Sequence, residues 1–302
     1  MGILRLSHVE VRVPDLELAT AYYTEVVGLI EVARESERVY LKCWDEHDHH
    51  SVVLQYAPRY GLDHMAFKVA ESADLEKLEK AVEYHGAHVS RVPSGTELGQ
   101  GEAIAFQTPT GHRMELVHGM ERTGNLLPKT NPPPEPQGLV GIHPPRIDHV
   151  FLTAEDVDGA HDFFTQALGF RLTEQLVARD GHKLGVWLER SHSPHDLALI
   201  TGPNGGLHHF AFWLDDWNEV RRAADILAYH GVRIDVGPTR HGITRGYTIY
   251  FFDPVGNRNE VFTGGYWVDP DFDPITWTEE EMGRAIFYYQ GALNPRFLTV
   301  HS

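Results

Sequence analysis

Four segments of the chain share one grammar, and that repetition constrains the fold more than any single residue. They run LSHVEVRVPDLELATAYYTEVVGLIEV from Leu6, GLDHMAFKVAESADLEKLEKAVEYHGAHV from Gly61, RIDHVFLTAEDVDGAHDFFTQALGFRL from Arg146 and GLHHFAFWLDDWNEVRRAADILAYHGVRI from Gly206. Each opens on apolar residues at period two, such as Val9, Val11 and Val13, or Phe210, Phe212 and Leu214, as half-buried strands require. An Asp or Ser then starts a run with apolar residues three and four apart, such as Leu75, Leu78 and Val82, or Phe163, Ala167 and Leu168. That spacing predicts a helix. Gly28, Gly86, Gly169 and Gly231 stand where a helix end calls for a left-handed residue. Further strands close each unit: AIAFQTPTGHRMELVHG from Ala103 matches TIYFFDPVGNRNEVFTGG from Thr248, with Pro-x-Gly turns in both.

The units pair as first with second and third with fourth. Between the pairs, Thr123–Pro145 is rich in proline, which continues neither a helix nor a central strand. The expected class is α+β, with two domains each of two βαβββ modules. The boundaries expected are 1–122, a Pro-rich linker over 123–145, a catalytic pair over 146–265, and a C-terminal extension over 266–302. In that extension TEEE from Thr278 reads as a helix start.

The formal net charge of −17 disfavours nucleic acid and anionic membranes as partners. Cys43 is the single cysteine, so intramolecular disulfides and Cys-based zinc sites are excluded. No signal-peptide pattern opens the chain and no apolar run approaches spanning length, so a soluble cytoplasmic protein is expected. Phosphate-cradling, nucleophile-elbow and HExxH patterns are missing.

Chemistry concentrates in histidines and carboxylates at strand positions. His149, His209 and Glu260 give two imidazoles and one carboxylate, a set that holds a non-heme Fe(II) on one face and leaves the other positions free. The first half has its own set in His8, His64 and Glu115, with the same interval of 51 residues from the second His to the Glu. Spacing alone does not choose between them. Around the second set stand His195, His241 and Tyr250, able to exchange protons or donate hydrogen bonds. The first half echoes His195 with His50 but has Thr96 and Ala105 in place of His241 and Tyr250. The run DEHDHH, Asp45 to His50, is expected to be a solvated hairpin loop.

This repeat grammar resembles the vicinal-oxygen-chelate superfamily. Within it the chain is most similar to the type I extradiol dioxygenases of the catechol 2,3-dioxygenase group, most densely over GPTRHGITRGYTIYFFDPVGNRNEVFTGG from Gly237. The resemblance implies that the C-terminal pair alone carries the catalytic metal, on His149, His209 and Glu260, and that the first set is inherited without one. It selects His209 over His208, which would then face away. It further implies Fe(II), with Mn(II) accepted by the same ligands, and dioxygen as co-substrate for extradiol cleavage of a catechol to a semialdehyde-type product. His195 is the expected acid/base. His241 should hydrogen-bond substrate or bound oxygen, and Tyr250 should hold the deprotonated catechol oxygen. Ile286 and Phe297 are candidates for an apolar substrate wall under the extension. A homo-oligomer, a tetramer, is the implied assembly. Two rivals share the fold, a glyoxalase-like isomerase or epimerase and a non-enzymatic drug-binding protein. The first commonly uses more carboxylate ligands, and the second needs no metal set.

Overall fold

The two sheets of the molecule divide their side chains by parity, one face packing into a common core and the other lining a cup. A computed structural model describes residues 2–302. The first sheet contains β1 (Ile3–Val13), β2 (Ile30–Arg34), β3 (Arg38–Lys42), β4 (Val52–Tyr56), β5 (Gly61–Val69), β6 (Val89–Val92), β7 (Gln100–Gln107) and β8 (Arg113–Met120). Helix α1 (Leu16–Ala21), extended by a π-helical turn over Tyr22–Val27, follows β1, and α2 (Ser72–Tyr84) follows β5. Strand order is β2-β3-β4-β1-β5-β8-β7-β6. Each βαβββ unit therefore makes half a sheet, and the halves join through the antiparallel pair of their first strands, β1 and β5.

The second sheet repeats this with β9 (Arg146–Ala154), α3 (Val157–Gln166), β10 (Arg171–Val177), β11 (Lys183–Glu189), β12 (Leu197–Thr201), β13 (Leu207–Trp213), α4 (Trp217–Tyr229), β14 (Ile234–Arg240), β15 (Gly246–Phe252) and β16 (Arg258–Gly264). The joining pair is β9 with β13. The chain beyond β16 adds β17 (Ile275–Thr278), which extends the sheet beside β10. It then forms α5 (Met282–Ile286) and α6 (Pro295–Thr299).

The repeated signals act locally as expected. Asp15, Asp156 and Asp216 accept hydrogen bonds from the first-turn amides of α1, α3 and α4, relieving unpaired donors. In α2 the cap position is Glu71 and makes no such side-chain bond. Gly28, Gly86, Gly169 and Gly231 all have φ between 70° and 87°. At Gly28 a Cβ would also lie 2.2 Å from the Val140 carbonyl oxygen. The Pro-rich segment passes that close because Ile142 and His143 donate their amides to Val26 and Val27.

On β9 the core face carries Val150, Leu152 and Ala154; on β13 it carries Phe210 and Phe212; on β15, Ile249 and Phe251. These join Val9, Val11, Met65 and Phe67 of the first sheet and the buried faces of the helices in one continuous core. Burial of each large apolar side chain stabilises by roughly 1.5–3 kcal/mol, and Phe210→Ala would remove about 3–5 kcal/mol. Tyr22 and Tyr23 cross from one sheet's helix to the other sheet, their hydroxyls 3.1 Å from Asn259 Oδ1 and Asp253 Oδ2. Because the core takes these residues, their neighbours in sequence occupy the opposite, concave face of each sheet. No helix among the described residues is long and apolar enough to cross a membrane.

Candidate metal centre

Register places the second triad on one face. Ala211 on β13 is paired with His149 on β9 and with Glu260 on β16. His209 lies two residues before Ala211, on the same side of the strand. All three ligand side chains are nearly inaccessible, at 2–3% exposure. Glu260 Oε2 lies 3.1 Å from His149 Nε2 and 2.9 Å from His209 Nε2, and the two imidazole nitrogens are 3.4 Å apart. Tetrahedral or octahedral bonds of about 2.0–2.2 Å put ligand atoms about 3 Å apart, so the donors already stand at coordination spacing. Two neutral imidazoles and a carboxylate suit a divalent cation. The triad is a divalent-metal site.

Neighbours fix how each ligand presents itself. His149 Nδ1 is 3.0 Å from Asp148 Oδ1, which keeps the proton on that nitrogen and turns the Nε2 lone pair to the metal. Burial alone would lower the His149 pKa, but Asp148 and Glu260 outweigh it and raise it to about 9. Burial brings His209 down to about 4. Burial pushes Glu260 upward, yet its histidine partners hold it well below the usual range. In the metal-free triad His149 thus holds the extra proton and His209 stays neutral. Thr248 donates to the other oxygen of Glu260.

His208 does not face away. The β13–β9 register slips between Leu207 and His209, and the irregularity brings both imidazoles together, their Nδ1 atoms 2.7 Å apart. His208 Nε2 accepts from Arg258 Nη1 at 2.8 Å, and the same guanidinium donates to the Phe297 carbonyl in α6 at 3.1 Å. The His208 proton therefore sits on Nδ1, facing His209.

A tight cavity of about 30 Å³, room for a water or two, opens on the triad. Phe151, Trp187, Ile243, Phe262, Ile286 and Phe297 form its apolar walls, and His195, His241 and Tyr250 also line it. The His195 ring centroid is 3.9 Å from that of His149. Burial, aided by His149, pushes its pKa well down, so the ring is neutral and able to accept a proton. His241 donates Nδ1–H to the Ile286 carbonyl, leaving Nε2 to accept from the Tyr250 hydroxyl at 2.7 Å. Burial and then Glu260 hold the Tyr250 pKa well above its usual value, so it remains a donor. Residues 266–302 supply Ile286 and Phe297, and Ser302 pairs through its backbone with Leu207. Asp148, Thr248 and the role of His208 were not anticipated from sequence, nor were the walls at Phe151, Trp187, Ile243 and Phe262.

Comparison with known proteins agrees with this geometry. The Glyoxalase/Bleomycin resistance protein/Dioxygenase superfamily pattern matches residues 146–261, and the catechol 2,3-dioxygenase-like N-terminal domain pattern matches residues 62–120. A metapyrocatechase of Pseudomonas sp. (strain CF600) is 44% identical, over 99% of this chain and 98% of its own. The chain belongs to the extradiol ring-cleavage dioxygenases. A manganese-dependent 2,3-dihydroxybiphenyl 1,2-dioxygenase of Geobacillus genomosp. 3 is 33% identical over 97% of this chain and 96% of its own. The 2,3-dioxygenase LapB of Pseudomonas sp. KL28 superposes with a TM-score of 0.90 at 42% identity, covering 93% of this chain and 99% of that one. Homoprotocatechuate 2,3-dioxygenase of Brevibacterium fuscum reaches 0.91 at 28% identity, covering 100% and 93%.

The first half of this dioxygenase departs from expectation. Glu115 does not join His8 and His64: its oxygens bond Arg113 and Gln100. The carboxylate beside those histidines is Glu97, on the loop before β7. The DEHDHH run is solvated only in its first half, where Asp45 and His47 are exposed. Asp48, His49 and His50 are buried at 5%, 8% and 1% exposure, because Lys68 and Arg5 neutralise Asp48 while His50 turns into the concave face.

Proposed function

We propose that the protein cleaves a simple catechol beside its diol, inserting both atoms of dioxygen to give a 2-hydroxymuconic semialdehyde-type product in aromatic catabolism. The observation that carries this reading is a 2-His-1-carboxylate triad opening onto a small apolar pocket rimmed by His195, His241 and Tyr250. Fe(II) is the proposed metal, and the same ligands accept Mn(II), as the manganese-dependent relative illustrates. When bound, the metal supplies Lewis acidity that favours loss of a catechol proton and a route for electron density from the ring to dioxygen.

The chain's own residues would do the rest. Phe151, Trp187, Ile286 and Phe297 clamp the ring and exclude water. Neutral His195, its ring against that of His149, takes a proton from the substrate and returns it as the ring opens. Tyr250 releases His241 and turns its hydroxyl to the anionic catechol oxygen, while His241 Nε2, left without a proton by the Nδ1–H bond to Ile286, accepts from a hydroxyl of the substrate.

In this scheme residues 1–122 form a scaffold without catalytic metal, 123–145 a linker, and 266–302 a cover over the site in 146–265. A homotetramer in the cytoplasm is the proposed setting, supported by the family resemblance and a single buried cysteine. Light scattering on purified protein tests the assembly. Anaerobic reconstitution with Fe(II), then catechol and air, should give the yellow ring-opened product. A fully loaded protein that leaves catechol untouched would overturn the assignment.

A further inference from the structure

The concave face of the first sheet holds a second constellation that the ring-cleavage chemistry does not use. His8 on β1, His64 on β5, His50 before β4 and Glu97 before β7 converge there, with side chains at most 4% exposed. His8 Nε2 lies 3.1 Å from His64 Nε2 and 3.4 Å from Glu97 Oε2. His64 Nε2 is 3.5 Å from Glu97 Oε1, and His50 Nε2 is 3.8 Å from Glu97 Oε2. A tetrahedral cation with bonds of about 2.0–2.1 Å sets its ligand atoms roughly 3.4 Å apart. The four groups scatter around that spacing.

A second observation points to a missing partner. His50 Nε2 and Glu97 Oε2 are both buried and neither makes a hydrogen bond, although they face each other. An unsatisfied buried acceptor or donor costs about 1–3 kcal/mol, and one cation placed between them would satisfy both. Two of the rings are already oriented for this. His64 Nδ1 is held by Asp63 Oδ2 at 3.3 Å and His50 Nδ1 by His49 Nδ1 at 3.0 Å, so their Nε2 atoms point inward. Asp63–His64 repeats the Asp148–His149 device of the other sheet.

We propose that His8, His50, His64 and Glu97 bind a structural Zn(II). His8, His50 and Glu97 present donor atoms within 4.8 Å of one another, and His64 joins them through His8 and the other oxygen of Glu97. Held on one ion they would make the closed four-donor set that structural zinc prefers, whereas the triad on the second sheet leaves positions open to its pocket. Glu10, 1% exposed and within the same cluster, adds a nearby negative charge. Such an ion would tie β1 and β5, the joining pair of the first sheet, to two loops.

The test is metal stoichiometry, which does not depend on turnover. Metal-stripped full-length protein is titrated with Zn(II), dialysed and analysed by inductively coupled plasma mass spectrometry. Two equivalents per chain are expected, and one in the His149→Ala variant. Adding Glu97→Gln or His50→Ala to that background should reduce zinc to a trace. X-ray absorption of zinc-loaded His149→Ala protein should show four nitrogen and oxygen neighbours, so the proposal stays testable should the double variants fail to fold. A His149→Ala protein that retains no zinc, or double variants that keep a full equivalent, would overturn it.

Discussion

Asp148 is the most informative single change, because it touches the metal only through His149. Its carboxylate receives the His149 Nδ1 proton at 3.0 Å and also pairs with Arg146. Burial opposes the charge, but Arg146 and His149 hold the pKa at about 2, so the group is ionised at any working pH. In Asp148→Ala the imidazole loses the acceptor that keeps its proton off the metal side. Loss of such a support typically weakens metal binding 10–100-fold, about 1.4–2.7 kcal/mol. Asp148→Asn retains a carbonyl acceptor without the charge and should fall near the tenfold end. Folding should also weaken, by about 1–3 kcal/mol, because the Asp148 side chain is only 5% exposed and its loss leaves the buried His149 Nδ1–H without a partner. Chelator competition on the wild type and both variants, with thermal melts as control, should give the order wild type, Asn, Ala. An Ala variant within twofold of wild type would refute the tautomer argument. Equal losses in both variants would assign the effect to charge alone.

His195→Ala should retain metal and substrate binding while turnover drops by about 10²–10⁴-fold, read by steady-state kinetics beside metal analysis. Tyr250→Phe removes one donor to an anionic oxygen, worth about 1.5–3 kcal/mol; anaerobic substrate titration should show the loss without loss of metal. The metal-free protein should become less stable as pH rises from about 6.5 to about 9. The reason is that His149, raised to about 9, contributes stability fully present below its unfolded pKa and lost as that proton leaves. Melts of chelator-treated protein across that range should show the slope, and metal on the His149 triad should reduce it to the part that His64, also raised to about 9, contributes.

The sheets and core were legible because strand parity is written into every repeat. Val150 and Leu152 face the core, so His149 and Phe151 must face the cup. The left-handed glycines and the Asp caps followed from local backbone chemistry in the same way. What escaped the sequence depends on register irregularities and on loops. His208 was assigned outward by parity, and the slip before His209 cancels that rule. Asp148 should likewise point away from its neighbour, but the His149 ring reaches back to it through Nδ1. Asp45–His50 is charge-dense, which reads as solvated, and only the fold shows Lys68 and Arg5 neutralising Asp48. Glu97 sits on no repeat-equivalent strand position, so interval matching led to Glu115 instead.

The two cups start from the same strands and diverge through one loop each. In the second sheet the loop after β14 sends His241 toward Tyr250 and leaves apolar space beside the triad. In the first, the loop before β7 folds inward and brings Glu97 among the histidines. Gly99 permits that closure: its φ is +75°, and a Cβ there would lie 2.4 Å from His49 Cγ. His49 in turn holds His50 through Nδ1. A side chain at 99 must therefore push His49, disturb His50 and lift Glu97, on top of about 1–2 kcal/mol for a left-handed non-glycine. Gly99→Val should leave the metal on His149, His209 and Glu260 in place, since no element of that site contacts the loop through these residues. It should abolish the zinc equivalent assigned to the first cup. Differential metal analysis of the iron-loaded, zinc-titrated variant decides the matter, and a full zinc equivalent surviving in a folded Gly99→Val protein would show that loop closure is not what assembles the first cup.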